Sequence, residues 1–438
     1  MTSAIIGERK SWLERVIDVR PEEKKALLSA FFCAATMFTA YSILRPVRET
    51  MGITSGVRNL PILFWATFAA MLVVQPLYGW MVSRFPLKVI LPRIYMLFAS
   101  MLVGFYAWFF LEADHSWIAR VYFVWVSVFN LFIVAVFWSL MADVFDTNQA
   151  ARLFGVIASG ISVGGLIGPA LAATLVSPIG TMNLLLVSAV LLVISALLMR
   201  AVINQKERIA VEPVRDGADE PPARGSAWGA FKQVMASPYL LGLSAFVLML
   251  TSASTLLYLE QQRIVSETIT DKDAQTSLFA TIDFWVQAGS LIAQIFIFSR
   301  VLRWFGLTFT ISSVPLVLLA AFAVLTVSSS LPVIIGAMMI RRVGEYGFTR
   351  RCRDILFTVL SRDEKYKAKN LIDTFIYRGG DALSASAYAG LVALLGSASS
   401  EAVISGIAGI VVCLVWLALS VRLAKRFNSA RQHHVLAH

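Results

Sequence analysis

The sequence predicts an all-α integral membrane protein with twelve transmembrane helices in two six-helix halves, and three observations predict it. Of 438 residues, 58% are hydrophobic and the mean hydropathy is +0.73, above the apolar share of about 45–50% usual in soluble domains. The chain divides into apolar stretches that each approach the roughly 20 residues a helix needs to cross the hydrocarbon core. One long polar stretch, rich in Asp, Glu, Lys and Pro, interrupts the pattern after the sixth of them. The expected organisation is therefore a cytoplasmic amino-terminal segment over 1–25, a first half over 26–203, a cytoplasmic linker over 204–237, a second half over 238–424 and a cytoplasmic tail over 425–438.

Charge sets the orientation. The formal net charge of +11 would suggest nucleic acid in a soluble protein, but in a membrane protein it is read through loop asymmetry. Of 38 Lys and Arg residues, the segments on one side of the spans hold only Arg58, Arg120, Arg263 and Lys272, and the side that carries both termini takes most of the rest. By the positive-inside rule both termini are cytoplasmic, and no nucleic-acid partner is implied. Cys33, Cys352 and Cys413 all fall within spans, so no disulfide framework is implied. His433, His434 and His438 end the tail without further ligands clustered near them, and read as solvated.

In chain order, the expected spans are 26–50, 60–82, 89–111, 118–145, 151–176, 181–203, 239–259, 277–299, 306–327, 332–360, 370–395 and 402–423. The first is its own insertion signal, since residues 1–25 lack the apolar core and small-residue cleavage site of a signal peptide. Pro21, Glu22 and Glu23 suit its first turn, with acidic residues at the positive end of the dipole. It ends in YSILRPVRETMG, where Arg45, Arg48 and Glu49 share one helix face at i, i+3 and i+4. Pro46 among them can kink the helix. These charges either cap the outer end of the span or line a cavity, and the second reading follows from the cost of intramembrane charge.

The fourth span carries Asp143 and Asp146 near its inner end, where Asp143 reads equally as a gating acid or as a solvated boundary residue. Gly160, Gly164, Gly165 and Gly168 of the fifth span have the spacing that lets helix backbones approach closely. Glu260, Arg263 and Glu267 are assigned to an outer loop, and Asp283 of the eighth span is either a carrier of a coupling proton or a buried, hydrogen-bonded acid. In the eleventh span Arg378 and Asp381, at i and i+3, form a structural ion couple.

The tenth span concentrates the chemistry. IIGAMMIRRVGEYGFTRRCRDILFTVL places Arg341, Arg342, Glu345, Arg350, Arg351, Arg353 and Asp354 in one hydrophobic stretch. Charge near the bilayer centre costs several kcal/mol, so such residues face protein or water and commonly mark a substrate path. Arg341 and Arg342 are also open to a simpler reading, in which they snorkel to an interface. Arg350, Arg351 and Arg353 have apolar sequence on both sides and are assigned to a cavity wall.

Several motifs resemble known families. GWMVSRFPLK, Gly79 to Lys88, resembles the cytoplasmic loop motif of the major facilitator superfamily, G-x-x-x-D-R-x-G-R-R; it retains Gly79, Arg84 and Lys88 and has Ser83 and Pro86 where that family prefers Asp and Gly. Gly164-x-x-x-Gly168-Pro169 resembles the antiporter motif of the same superfamily. DTNQAARLFG after the fourth span and DEKYKAKNLI after the tenth occupy equivalent places in the two halves. The resemblance implies a facilitator-type fold whose first, fourth, seventh and tenth helices line a central cavity, which is where the Arg-rich first and tenth spans fall.

More specifically, YSILRPVRET is similar to the first-helix motif of the ATP:ADP antiporter family of plastids and intracellular bacteria. The block Arg353-Asp354, Lys365, Lys367, Lys369, Ile372-Asp373 and Arg378-Gly379 is similar to that family's later half. Arg48 and Arg353 stand where the family has Lys, and Cys352 where it has Thr. The resemblance implies nucleotide exchange with basic residues on the phosphates.

The expected function is therefore secondary transport of an anionic, phosphorylated metabolite, as a monomer in the lipid bilayer of a bacterial inner membrane. The expected substrate-binding residues are Arg45, Arg48, Glu49, Arg350, Arg351, Arg353 and Asp354; Arg84, Lys88, Asp143, Asp283 and Glu345 are the coupling or gating candidates. Guanidinium forks suit phosphate through charge-assisted, bidentate hydrogen bonds. A proton-coupled exporter of drugs or siderophores is the alternative, although an Arg-rich cavity suits cationic drugs poorly. A non-transporting receptor would need a sensing domain that the short loops do not offer. Without a His in a span, a metal-ligand cluster or a Ser-base pair, no enzyme and no cofactor are predicted.

Overall fold

The computed structural model describes residues 19–205, 227–396 and 400–436. Most of the expected amino-terminal segment and linker, and the last two residues of the tail, lie outside the described residues. Everything regular within them is helical: α1 Lys24–Thr54, α2 Leu60–Arg84, α3 Leu87–Leu111, α4 Ser116–Val144, α5 Thr147–Ile179, α6 Asn183–Ile203, α7 Ala227–Ala236, α8 Pro238–Thr268, α9 Lys272–Ile292, α10 Phe298–Val327, α11 Leu331–Gly344, α12 Arg350–Leu356, α13 Arg362–Leu371, α14 Tyr377–Leu395 and α15 Glu401–Leu436.

Nine helical stretches among the described residues are long and apolar enough to cross a membrane. One of them, Lys272–Val327, covers both the eighth and ninth expected spans, with a break at Gly306, whose φ of 73° is a conformation that favours glycine. The tenth and eleventh expected spans are not among the nine, for a physical reason. Each carries several charges that lower its hydropathy, and each also contains a π-helical turn, Glu345–Thr349 in one and Ile372–Ile376 in the other. A third π-turn, Ala293–Ile297, joins α9 to α10. Such turns widen the helix locally and recur at functional sites.

The chain forms two compact units. The first comprises residues up to Arg45, Val74–Glu112 and Val126–Asp216; the second comprises Pro46–Val73, Ala113–Trp125 and Gly217 onward. In the first unit, α1 and α5 pack backbone to backbone. A Cβ on Gly160 would lie 2.5 Å from the Phe31 carbonyl oxygen and one on Gly164 2.8 Å from the Thr39 nitrogen. The glycines of the fifth span are thus packing residues, and α5 has no room for a larger residue there. Tyr95 Oη donates to the Ile133 carbonyl, and Ser188 Oγ to the Ala40 carbonyl, so polar groups inside this unit are satisfied across helices. Glu23 closes the start of α1: it accepts from the Arg20 backbone N–H at 3.0 Å and pairs with Arg152 of α5 at 2.8 Å.

In the second unit the core lies where α8, α10 and α15 meet. Phe246 and Trp416 stack edge to face at 5.8 Å, and Gly409 of α15 takes the ring of Phe322 so closely that a Cβ would collide with it. Corresponding loops also start alike. Asp146 caps α5 with Gln149 returning to it, and Ser361 caps α13 with Glu364 returning to it, so DTNQAARLFG and the residues from Ser361 both open as capping boxes.

Candidate functional site

The π-turn Glu345–Thr349 places a carboxylate among arginines. Glu345 is buried, and its Oε2 accepts from Arg341 Nη1 at 2.9 Å, one helical turn back. Its Oε1 accepts from Tyr377 Oη at 2.9 Å and lies 3.8 Å from Arg350. Arg341 also donates to Ser254 of α8. The Arg350 guanidinium stacks over the Tyr346 ring at 4.6 Å, with half of its side chain exposed (52%). One carboxylate therefore serves two guanidiniums. Beside this cluster Asp381 accepts from Thr255 at 3.3 Å and lies 3.8 Å from Arg378, the couple expected from the i, i+3 spacing.

Arg341 and Arg342 do not snorkel. Both are buried, and Arg342 Nη1 meets Asp283 Oδ1 at 2.5 Å, tying α11 to α9. Asp283 is thus an ion-paired acid. The reason lies in position: each arginine finds an acid one turn away or on the neighbouring helix, so neither has to reach for water.

The remaining tenth-span charges point elsewhere, and here the expected arrangement needs correction. Arg353 and Asp354 do not pair with each other. Arg353 Nη2 lies 3.1 Å from Asp373, in the π-turn Ile372–Ile376, and Asp354 Oδ1 accepts from Lys369 at 2.8 Å. Adjacent residues of a helix diverge by about 100°, and here each finds its partner outside its own helix: 373 and 369, one turn apart, meet 353 and 354 in reverse chain order. The two pairs form a clasp between α12 and the α13 side. Arg351 is exposed, donates to Gln294 at 2.9 Å and lies over Phe298 at 5.6 Å. Glu260, Arg263 and Glu267, expected in a loop, extend α8 by a further two turns; Arg263 pairs with Glu260 at 2.6 Å and with Glu267 at 3.0 Å.

On the first helix, α1 continues through Pro46 to Thr54. Arg45, half-buried, belongs to the first unit, and Arg48 and Glu49 to the second. Arg48 lies over the Phe123 ring at 4.4 Å and 3.7 Å from Glu49, whose Oε2 accepts from Gln262 Nε2 at 3.0 Å. Thr50 and Thr276 share a buried hydroxyl hydrogen bond of 2.7 Å. In the first unit Asp143 is the penultimate residue of α4 and half-buried, while Arg84 and Lys88, at the end of α2 and the start of α3, are exposed.

Sequence reasoning missed Ser254, Gln262, Phe123 and Tyr377, which complete these contacts. The signal was present for two of them. Gln262 lies in the polar run Glu260-Gln261-Gln262-Arg263 at the end of an apolar span, and Tyr377 precedes Arg378 on the charged eleventh span.

The helical fold and the buried arginine network define a membrane transporter, and a Major Facilitator Superfamily profile matches residues 27–352; the chain belongs to that superfamily. A second profile, TLC ATP/ADP transporter, matches residues 285–427, the stretch that holds the π-turns and the Arg–Glu cluster. The chain is similar to ADP,ATP carrier protein 2 of Chlamydia pneumoniae, 18% identical over 469 residues that cover 89% of this chain and 86% of that one. It thus resembles the ATP/ADP family within the superfamily. Among solved structures it is similar to a bacterial homologue of the iron transporter ferroportin in an inward-facing state, with a TM-score of 0.64 and 11% identity over 92% of this chain and 98% of that one. It is also similar to a bacterial homologue of the human lysosomal transporter Spinster, with a TM-score of 0.60 and 16% identity over 94% of this chain and 99% of that one. These likenesses show the fold.

Proposed function

We propose that the protein is a secondary active transporter of an anionic, phosphorylated metabolite, working by alternating access of a first half over 26–203 and a second over 238–424. ATP and ADP exchange is the version that the resemblance to the ATP/ADP family favours. The membrane is the bacterial inner membrane, with both termini cytoplasmic, as the loop asymmetry suggests.

The observation that carries this reading is the shared carboxylate. Glu345 faces Arg341 at 2.9 Å and Arg350 at 3.8 Å, so the cluster keeps an excess of positive charge in an apolar span, and Arg350 retains exposed donor surface. A phosphate group supplies the missing negative charge and accepts the guanidinium hydrogen bonds in a planar, bidentate geometry. In this reading Arg350 is the principal anion contact, with Arg48 of the same unit as a further contact. Glu345 and Glu49 limit the positive charge while the site is empty. Arg353 and Asp354, engaged with Asp373 and Lys369, position α12, and Arg351 is peripheral.

The test is a counterflow screen in proteoliposomes with labelled nucleotides, phosphate esters, organic acids and drug-like compounds. Phosphorylated compounds are expected to exchange, and a neutral parent such as the nucleoside is not. A ligand that binds the native state alone adds RT ln(1 + [L]/Kd) to stability. Purified protein should therefore be stabilised thermally by the phosphate ester more than by its neutral parent, and equal stabilisation would remove phosphate from the reading.

A further inference from the structure

A second concave site lies in the same unit, away from the Arg–Glu cluster. It is a cavity of about 470 Å³ at the end where α1 turns into α2, α8 finishes and α14 gives way to α15. Val57, Pro61, Ala389, Val392 and Ala393 supply small or apolar walls, and Arg58, Arg263 and Glu401 are its charged members. The two arginines differ. Arg263 is engaged by three carboxylates, Glu260, Glu267 and, at 3.9 Å, Glu401, which more than offset its charge. Arg58 is exposed and has no hydrogen-bond or ion-pair partner among the described residues.

The turn that carries Arg58 is fixed. Gly56 adopts a φ of 90°, a conformation that favours glycine. The Ser55 carbonyl accepts from Asn59 Nδ2 at 2.7 Å and from Arg120 Nη2 at 3.5 Å, and Ser55 Oγ donates to the Gly52 carbonyl at 2.7 Å. The backbone that carries Arg58 is thus a braced turn.

Below it the surface is apolar. Ile62 and Trp65 follow Arg58 at i+4 and i+7 on α2, 67% and 41% exposed, and Leu394 and Leu395 of α14 are 79% and 48% exposed. Trp65 Nε1 donates to Ser386 Oγ of α14 at 2.9 Å, which pins the two helices as facing walls. A cation without a partner among the described residues, at the end of a membrane span and above a small-residue groove that opens onto exposed apolar helix faces, matches an amphiphile with a negatively charged head and acyl chains.

We propose that this cavity binds an anionic glycerophospholipid, with the lipid phosphate at Arg58 and an acyl chain along Pro61, Trp65, Ala389 and Val392. Basic positions near the head-group level attract anionic lipids, and the braced turn fixes the backbone from which Arg58 projects. The inference does not depend on which substrate is transported.

The test uses native mass spectrometry of the full chain in detergent, titrated with phosphatidylglycerol, with phosphatidylcholine of the same acyl chains, and with soluble glycerol phosphate. The wild type should retain phosphatidylglycerol about fivefold more than phosphatidylcholine, as one interfacial cation allows, and glycerol phosphate should not be retained. Arg58→Gln should equalise the two lipids, and because its side chain touches nothing, folding is unaffected. Ala393→Trp should fill the groove and lower both lipids together. Equal retention of the two lipids by the wild type would overturn the assignment. So would a preference that survives Arg58→Gln, or soluble glycerol phosphate bound as tightly as the lipid.

Discussion

The clasp between α12 and α13 makes a quantitative prediction, because its two ion pairs differ sharply in burial. In the Arg353–Asp373 pair, 3.1 Å apart, the Arg353 side chain is 10% exposed and that of Asp373 33%. In the Asp354–Lys369 pair, 2.8 Å apart, the exposures are 55% and 39%. Removing one partner of a fully buried pair costs about 3–5 kcal/mol. Asp373 is a third exposed and regains water when Arg353 is lost, so we reduce the cost of Arg353→Ala to about 1–3 kcal/mol. That is roughly a 5- to 150-fold fall in the folded-to-unfolded ratio. The same reasoning gives Asp354→Ala or Lys369→Ala about 0–1 kcal/mol. Arg353→Asp should be worse than Arg353→Ala, since it sets two carboxylates against each other, and adding Asp373→Arg should restore most of the loss by reversing the pair. Unfolding midpoints of the purified variants in one detergent give the ranking, and uptake into proteoliposomes shows whether transport follows stability. If the reversed pair is no more stable than Arg353→Asp alone, or if Asp354→Ala costs as much as Arg353→Ala, the clasp does not hold α12. If Arg353→Ala keeps wild-type stability and loses only transport, Arg353 is a substrate ligand and not a positioning residue.

Three further outcomes test the rest of the structure. Arg350→Ala should leave stability nearly unchanged, because its side chain is half exposed, while lowering affinity for a phosphorylated anion by roughly 10- to 100-fold, the loss of one charge-assisted contact; thermal-shift titrations read both. Arg342→Ala should strand the buried Asp283 2.5 Å from the lost guanidinium and cost about 3–5 kcal/mol, and Arg342→Met with Asp283→Leu should recover most of that in the same unfolding assay. Gly164→Ala should destabilise the first unit by about 1–3 kcal/mol, because the Thr39 nitrogen would lie 2.8 Å from the new Cβ; Gly155→Ala, whose Cβ meets nothing within 4 Å, is the control that should be neutral or better.

These predictions also mark how far the sequence could be read. Hydropathy gave the helices because each span must satisfy its own backbone in lipid, and that constraint acts along the chain, where a sequence displays it. Over 332–360 and 370–395 charge interrupts the apolar run and π-turns interrupt the regular helix; those turns hold Glu345 and Asp373, which arginines reach. Small-residue spacing in α5 was legible for a related reason, since backbone contact at Phe31, Thr39 and Ser42 excludes every side chain but hydrogen. Pairing between charges was not. Arg353 and Asp354 look like a couple in one dimension, yet helix geometry sends them to opposite neighbours, and Arg342 finds its acid at Asp283, which no local pattern connects to it. Which arginines retain donor surface for a ligand is decided by that partner list, not by the number of arginines in a span. Arg341 and Arg342 are consumed by burial and pairing, and Arg350 keeps half of its side chain open beside a carboxylate that it must share. Arg353, grouped by sequence with Arg350 and Arg351 yet nearly buried against Asp373, is therefore the arginine whose role the charge-reversal experiment must decide.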